Sequence, residues 1–85
     1  QNEVKLNAYP NPTKNNLNIT YVIERVFTTA SINLFDVLGQ KVISEKLYNG
    51  KGLLKMNMEN LKSGVYFYAI KVDGQTVRGE RVIVQ

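Results

Sequence analysis

The chain has 85 residues, a formal net charge of +4 and neither cysteine nor histidine. That length suits one domain and is short for two. Without Cys or His there is no disulfide, no cysteine nucleophile, no Ser–His–Asp triad and no ordinary zinc site, so stability must come from burial of the 44% hydrophobic content and from strand pairing.

Apolar residues recur with a period of two almost throughout, and turn residues arrive at short intervals, the pattern of an all-β sandwich or barrel. The first predicted strand, 4–8, runs into Tyr9-Pro10-Asn11-Pro12-Thr13, a rigid bend whose prolines cannot donate to a ladder. In strand 17–24, Leu17, Ile19, Tyr21 and Ile23 alternate with polar neighbours; strand 30–36 repeats this with Ile32 and Leu34. Asp36-Val37-Leu38-Gly39-Gln40 then reads as a type I turn with a bulge, Gly39 at the positive-φ position. Strand 41–47 leads into an Asn49-Gly50-Lys51-Gly52 loop. Strand 53–58 is followed by a Lys62-Ser63-Gly64 turn, and Asp73-Gly74 joins strands 65–72 and 76–84 through a type I′ turn.

Seven short antiparallel strands and no helix longer than a turn predict an immunoglobulin-like sandwich with Greek-key wiring, with a small barrel as the alternative. Strand 65–72 is apolar on both faces. Tyr66, Tyr68, Ile70 and Val72 point one way; Val65, Phe67, Ala69 and Lys71 point the other. Either a loop covers the second face, or Val65 and Phe67 form an exposed patch that docks on a partner. Gly79 reads as a bulge that switches the buried face of the last strand.

The charge is uneven. Lys5, Lys14 and Arg25 balance Glu3, Glu24 and Asp36, so residues 41–85 supply the excess. Their lysines sit singly among apolar residues, as solvent-facing strand positions do, and no Arg/aromatic cluster accompanies them, so no nucleic-acid partner is expected. No apolar stretch approaches the roughly 18 residues of a membrane helix, and no membrane insertion is expected. The carboxylates show no metal-loop pattern. Asp36 and Asp73 read as turn residues bonding their own backbone, and Asn18-Ile19-Thr20 as part of a strand. No phosphate loop is present, and neither an enzyme nor a cofactor is expected. The start at Gln1 without an initiator Met leads us to expect a fragment of a longer precursor.

Several features occur in one order: Tyr9-Pro10-Asn11-Pro12 before Leu17-Asn18-Ile19; Ile32 to Val42 with its Asp36-Val37-Leu38-Gly39-Gln40 turn; Leu61-Lys62-Ser63-Gly64-Val65-Tyr66-Phe67-Tyr68; Gly74; and a final Arg81-Val82-Ile83-Val84-Gln85. From about Leu6 to Gln85 the chain resembles the C-terminal sorting domain of the type IX secretion system, the Por secretion tail family of the Bacteroidota.

The resemblance implies an immunoglobulin-like domain at the end of secreted cargo. It is recognised in the periplasm by the outer-membrane machinery and is often cut off by a sortase-like peptidase as the cargo joins the cell surface. Pro10, Asn11, Pro12, Gly39, Gly64 and Tyr66 fall on family motif positions and read as mainly structural. Gly74, Arg81, Val82, Ile83, Val84 and Gln85 read as the recognition segment. Many members end in a further Lys; this chain stops at Gln85.

The last strand is expected at a sheet edge, where a receptor could add a strand to its free backbone. Residues 81–85 would then be dispensable for folding, and the same edge could pair two copies into a dimer. The competing reading is a carbohydrate-binding or adhesin-type sandwich, with Tyr9, Phe27, Tyr48 and Phe67 as its stacking aromatics; a passive spacer is a third.

Overall fold

The computed structural model describes residues 3–85, leaving aside the side chain of Arg78; the Gln1 start lies outside these residues. Among them are seven strands and no helix: β1 (Val4–Tyr9), β2 (Asn16–Ile23), β3 (Ala30–Phe35), β4 (Lys41–Leu47), β5 (Lys51–Asn57), β6 (Gly64–Val72) and β7 (Gln75–Val84). All pairings between them are antiparallel. They form a three-stranded sheet, β1-β2-β5, and a four-stranded sheet, β4-β3-β6-β7. The expected sandwich is therefore present. Relative to the ABED/CFG arrangement of constant-type immunoglobulin domains, the fourth strand lies beside β3 in the larger sheet.

Alternation puts one side of each sheet into the core. Leu17, Ile19, Tyr21 and Ile23 of β2 meet Ile32 and Leu34 of β3 and Tyr66, Tyr68, Ile70 and Val72 of β6 across the inter-sheet space. Tyr66 closes this core at one corner. Its hydroxyl donates to the Lys62 carbonyl at 2.7 Å, four residues upstream. This is the tyrosine-corner geometry of immunoglobulin-like sandwiches, set near the start of the sixth strand. Gly64 opens that strand, paired with Val84, so it is a strand residue rather than the end of a turn, and it does so at a φ of 153°.

The turns follow their chemistry. Asp73 and Gly74 hold φ values of 50° and 83°, as a type I′ turn requires. In the β3–β4 turn the Gly39 N–H donates to the Asp36 carbonyl at 3.0 Å, while Asp36 Oδ1 accepts from the N–H groups of Leu38 and Gln40, each at 2.9 Å. Asp73 departs from expectation. Its Oδ1 accepts from Thr28 N–H at 2.8 Å and Thr29 N–H at 3.0 Å, so it fastens the β2–β3 connection to the last hairpin instead of bonding its own turn. These N–H groups, Thr29 first, then Thr28, and the charge of Arg25 hold its carboxyl below the ordinary aspartate value.

Two further expectations are corrected. Lys51 and Gly52 are paired strand residues, opposite Val22 and Tyr21. The irregularity in β7 falls between the pairs Ile70↔Arg78 and Lys71↔Thr76, so Val77 is the extra residue and Gly79 pairs regularly with Ala69.

Candidate functional site

β7 is an edge strand of the four-stranded sheet, as expected. Its final residues alternate sharply. Val82 and Val84 are 0% and 2% exposed and belong to the core, whereas Arg81, Ile83 and Gln85 face solvent. Arg81 pairs with Phe67 and Ile83 with Val65, so both stand on the outer face of the sheet.

The backbone edge here is occupied. Asn11 Nδ2 donates to the Arg81 carbonyl at 3.1 Å, and Asn11 Oδ1 accepts from the Ile83 N–H at 3.0 Å. Thr13 continues the same contact. Its N–H donates to the Ile83 carbonyl at 2.9 Å, its carbonyl accepts from the Gln85 N–H at 2.8 Å, and it forms a parallel bridge with Val84. Thr13 is itself buried, its hydroxyl donating to the Asn16 carbonyl at 2.6 Å. The Pro10–Pro12 segment, with both X-Pro peptides cis, thus acts as a short clasp along the outer edge of residues 81–85.

This corrects the physical picture of strand addition at that end. A receptor strand, or a second copy, would have to displace Asn11 and Thr13. The expectation that residues 81–85 are dispensable for folding meets the same difficulty, because two core side chains and the clasp's partners belong to that segment.

Of the sequence-derived residues, Asn11 and Gly64 come together with Arg81–Gln85; Gly64 pairs with Val84. The Asp36–Gln40 turn that carries Gly39 follows Phe35, which lies in register with Phe67 and Arg81, so it stands at the same end of the sheet. Tyr66 is inside, opposite Val82. Gly74 is apart: it lies beyond the far end of β7, seven residues from Arg81 or roughly 20 Å of extended chain. Thr13 and Phe35 also belong to this end, with little in the sequence to mark them. Thr13 carries only a position after a proline bend, and Phe35 an apolar residue one step out of the period of Ile32 and Leu34.

Chemically this end offers exposed side chains, Arg81, Ile83 and Gln85, of the kind that make binding contacts. A family model described as the secretion system C-terminal sorting domain matches residues 7–85. The chain belongs to that family.

A type IX sorting domain is a targeting element rather than a member of an enzyme family, and export to the cell surface or the extracellular space is what it specifies. No curated protein and no solved structure matches the chain. The sugar-binding alternative gains no support from the sorting domain's aromatics, which share no platform. Tyr9 ends β1 in one sheet, Phe67 stands on the outer face of the other, Tyr48 follows β4, and Phe27 packs against the core. The outer face of β6 is not covered by a loop: Phe67 is 43% and Ile83 39% exposed.

Proposed function

We propose that this domain carries an N-terminal cargo through the periplasm and across the outer membrane by presenting the end of β7 to the type IX machinery. The reading of this end is by side chains. Arg81 and Ile83 project from a strand whose alternate residues, Val82 and Val84, are locked in the core, so the two outward groups are held in fixed positions. That placement is the observation that carries the proposal. Rigid presentation lowers the entropy lost on binding, and the Arg81 guanidinium supplies a directional charge contact. Val82 and Val84 contribute by folding, and Gln85 adds an exposed amide at the tip. Gly74 acts through its turn, away from the recognised end.

Within this scheme, a sortase-like peptidase removes the domain after export and the cargo is attached at the cell surface. The cut falls N-terminal to β1, where the cargo joins.

The test is a signal-peptide-bearing reporter fused to this domain in cells with type IX machinery. Export is expected, and Arg81→Ala with Ile83→Ser is expected to hold the reporter in the periplasm while the domain stays folded. A fusion that remains periplasmic, where an established tail exports the same reporter, would overturn the proposal.

A further inference from the structure

The β3–β4 turn has a composition that folding does not require. Asp36 and Gly39 make its hydrogen bonds, yet its tip is Val37 and Leu38, 67% and 81% exposed. Turn tips ordinarily carry polar residues, and two adjacent aliphatic side chains in water stabilise nothing within the domain. Next to them in sequence stands Phe35, in register with Phe67 and then Arg81 across three strands. Ile83 pairs with Val65 one step further along. An apolar band therefore runs from the turn tip across the outer face of the sheet to β7.

The charge along the sheet margins of this band is positive. Lys41 pairs with Phe35 at one margin, and Arg81 lies beside Phe67 at the other. Further along the same face, Lys46 and Lys71 flank Ser31. Two of the three nearby carboxylates are turned away. Glu45 is opposite Ile32 and Glu80 opposite Tyr68, on the core side of their strands, while Asp36 is engaged by the N–H groups of Leu38 and Gln40. Among the described residues, the outer face of the four-stranded sheet thus carries cations and no carboxylate.

We propose that this face is a docking surface for an acidic polypeptide segment with interspersed apolar side chains. The band from Leu38 through Phe67 to Ile83 takes the apolar groups, and Lys41 and Arg81 take the carboxylates. The proposal rests on the sorting reading, since Arg81 and Ile83 belong to both, and it names the chemistry of the partner. Apolar anchors supply affinity, and the cationic margin supplies orientation and rate. A flat apolar face bordered by lysines also rejects a second copy of itself, because the cations would oppose one another.

Two arms test it and keep it apart from the sorting proposal. In the first, the purified domain is titrated with a synthetic peptide of alternating Glu and Phe residues, and with a Lys/Phe peptide of equal length, while backbone amide shifts are followed by NMR. Perturbations clustered at Phe35, Phe67, Arg81 and Ile83, seen with the Glu/Phe peptide alone and weakening with salt, are expected. Shifts absent, spread over both sheets or equal for the two peptides overturn the inference, whatever the export assay shows.

In the second arm, the reporter fusion carries L38S, or K41E together with R81E, on domains whose thermal unfolding matches that of the parent. Export lower by roughly tenfold or more, the scale of reversing well-placed interfacial charges, is expected. Undiminished export of both variants alongside an exporting parent overturns this inference and the Arg81 contact of the sorting proposal, while the sorting role itself stands. A parent that is not exported overturns the sorting reading, and the peptide arm then decides the face.

Discussion

Asn11 and Ile83, 72 positions apart in sequence, are joined by a hydrogen bond in which the Ile83 N–H donates to the Asn11 side-chain oxygen at 3.0 Å. With the companion bond to the Arg81 carbonyl, one side-chain amide imitates a partner strand over a single step of β7. Asn11→Ala removes both bonds. Each hydrogen bond contributes about 1 kcal/mol net, and the site is exposed, so a loss of about 1–2 kcal/mol is expected in chemical denaturation. Hydrogen exchange at the Ile83 amide should quicken more than exchange at core amides of β6. Unchanged protection at Ile83 would show that the clasp does not hold the edge.

Tyr66→Phe keeps the buried ring and deletes the bond to the Lys62 carbonyl. The expected cost is about 1 kcal/mol. The segment leading into β6 should also become easier to cleave by protease, since this bond fixes its path. A substitution without effect on either readout would mean that ring packing alone sets the corner.

Gly64 sits at φ 153°, and a Cβ built there meets nothing within 4 Å. Gly64→Ala is therefore opposed by backbone conformation rather than by a clash. A destabilisation of about 1–3 kcal/mol is expected, measured by denaturant midpoint. No neighbouring truncation should rescue it, because no neighbour is in the way.

Removing residues 81–85 deletes Val82 and Val84 from the core and takes away the partners of the Asn11 side chain and of the Thr13 backbone. Burial of two valines is worth about 3–6 kcal/mol. That is a large share of the stability of a domain this small. Loss of the native circular dichroism and of a cooperative transition is expected; a cooperatively folded truncation would contradict the core assignment.

Asp73 gives a pH dependence of known sign. Its carboxyl is held below the ordinary aspartate value by the Thr29 and Thr28 N–H groups and by the charge of Arg25. A lowered folded value means that the unfolded chain takes up the proton first. The contribution is complete above the ordinary aspartate range, near pH 4, and disappears as pH falls through the folded value. Asp73→Asn can keep an acceptor and tolerates the φ of 50°. The stability gap between parent and variant should therefore narrow as pH drops below about 4, as followed by denaturation midpoints across that range.

The strands were legible because their signal is local. Leu17-Asn18-Ile19 and Leu54-Lys55-Met56 display their period without reference to the rest of the chain, and Asp73-Gly74 encodes its own turn. Gly52 reads as a loop residue because its partner is distant: the Tyr21 side chain lies over it, and a Cβ would stand 3.1 Å from the Tyr21 hydroxyl oxygen. The clasp was hidden for the same reason. Asn11 looks like any turn residue until sheet order brings β7 beside it. Val77 gives no sign of the bulge it makes, since glycine is the usual mark of one and Gly79 lies two residues on. The outer band was half visible, because Phe67 broke the alternation of β6 while Phe35 and the Val37-Leu38 tip gave no sign of sharing its end of the sheet.

The strict inward–outward order of Arg81, Val82, Ile83 and Val84 ties two events together. A nascent chain that stops short of Val82 can neither complete its interior nor hold Arg81 and Ile83 at a fixed spacing. Display of the outward pair is thereby a report that the interior of the domain has closed.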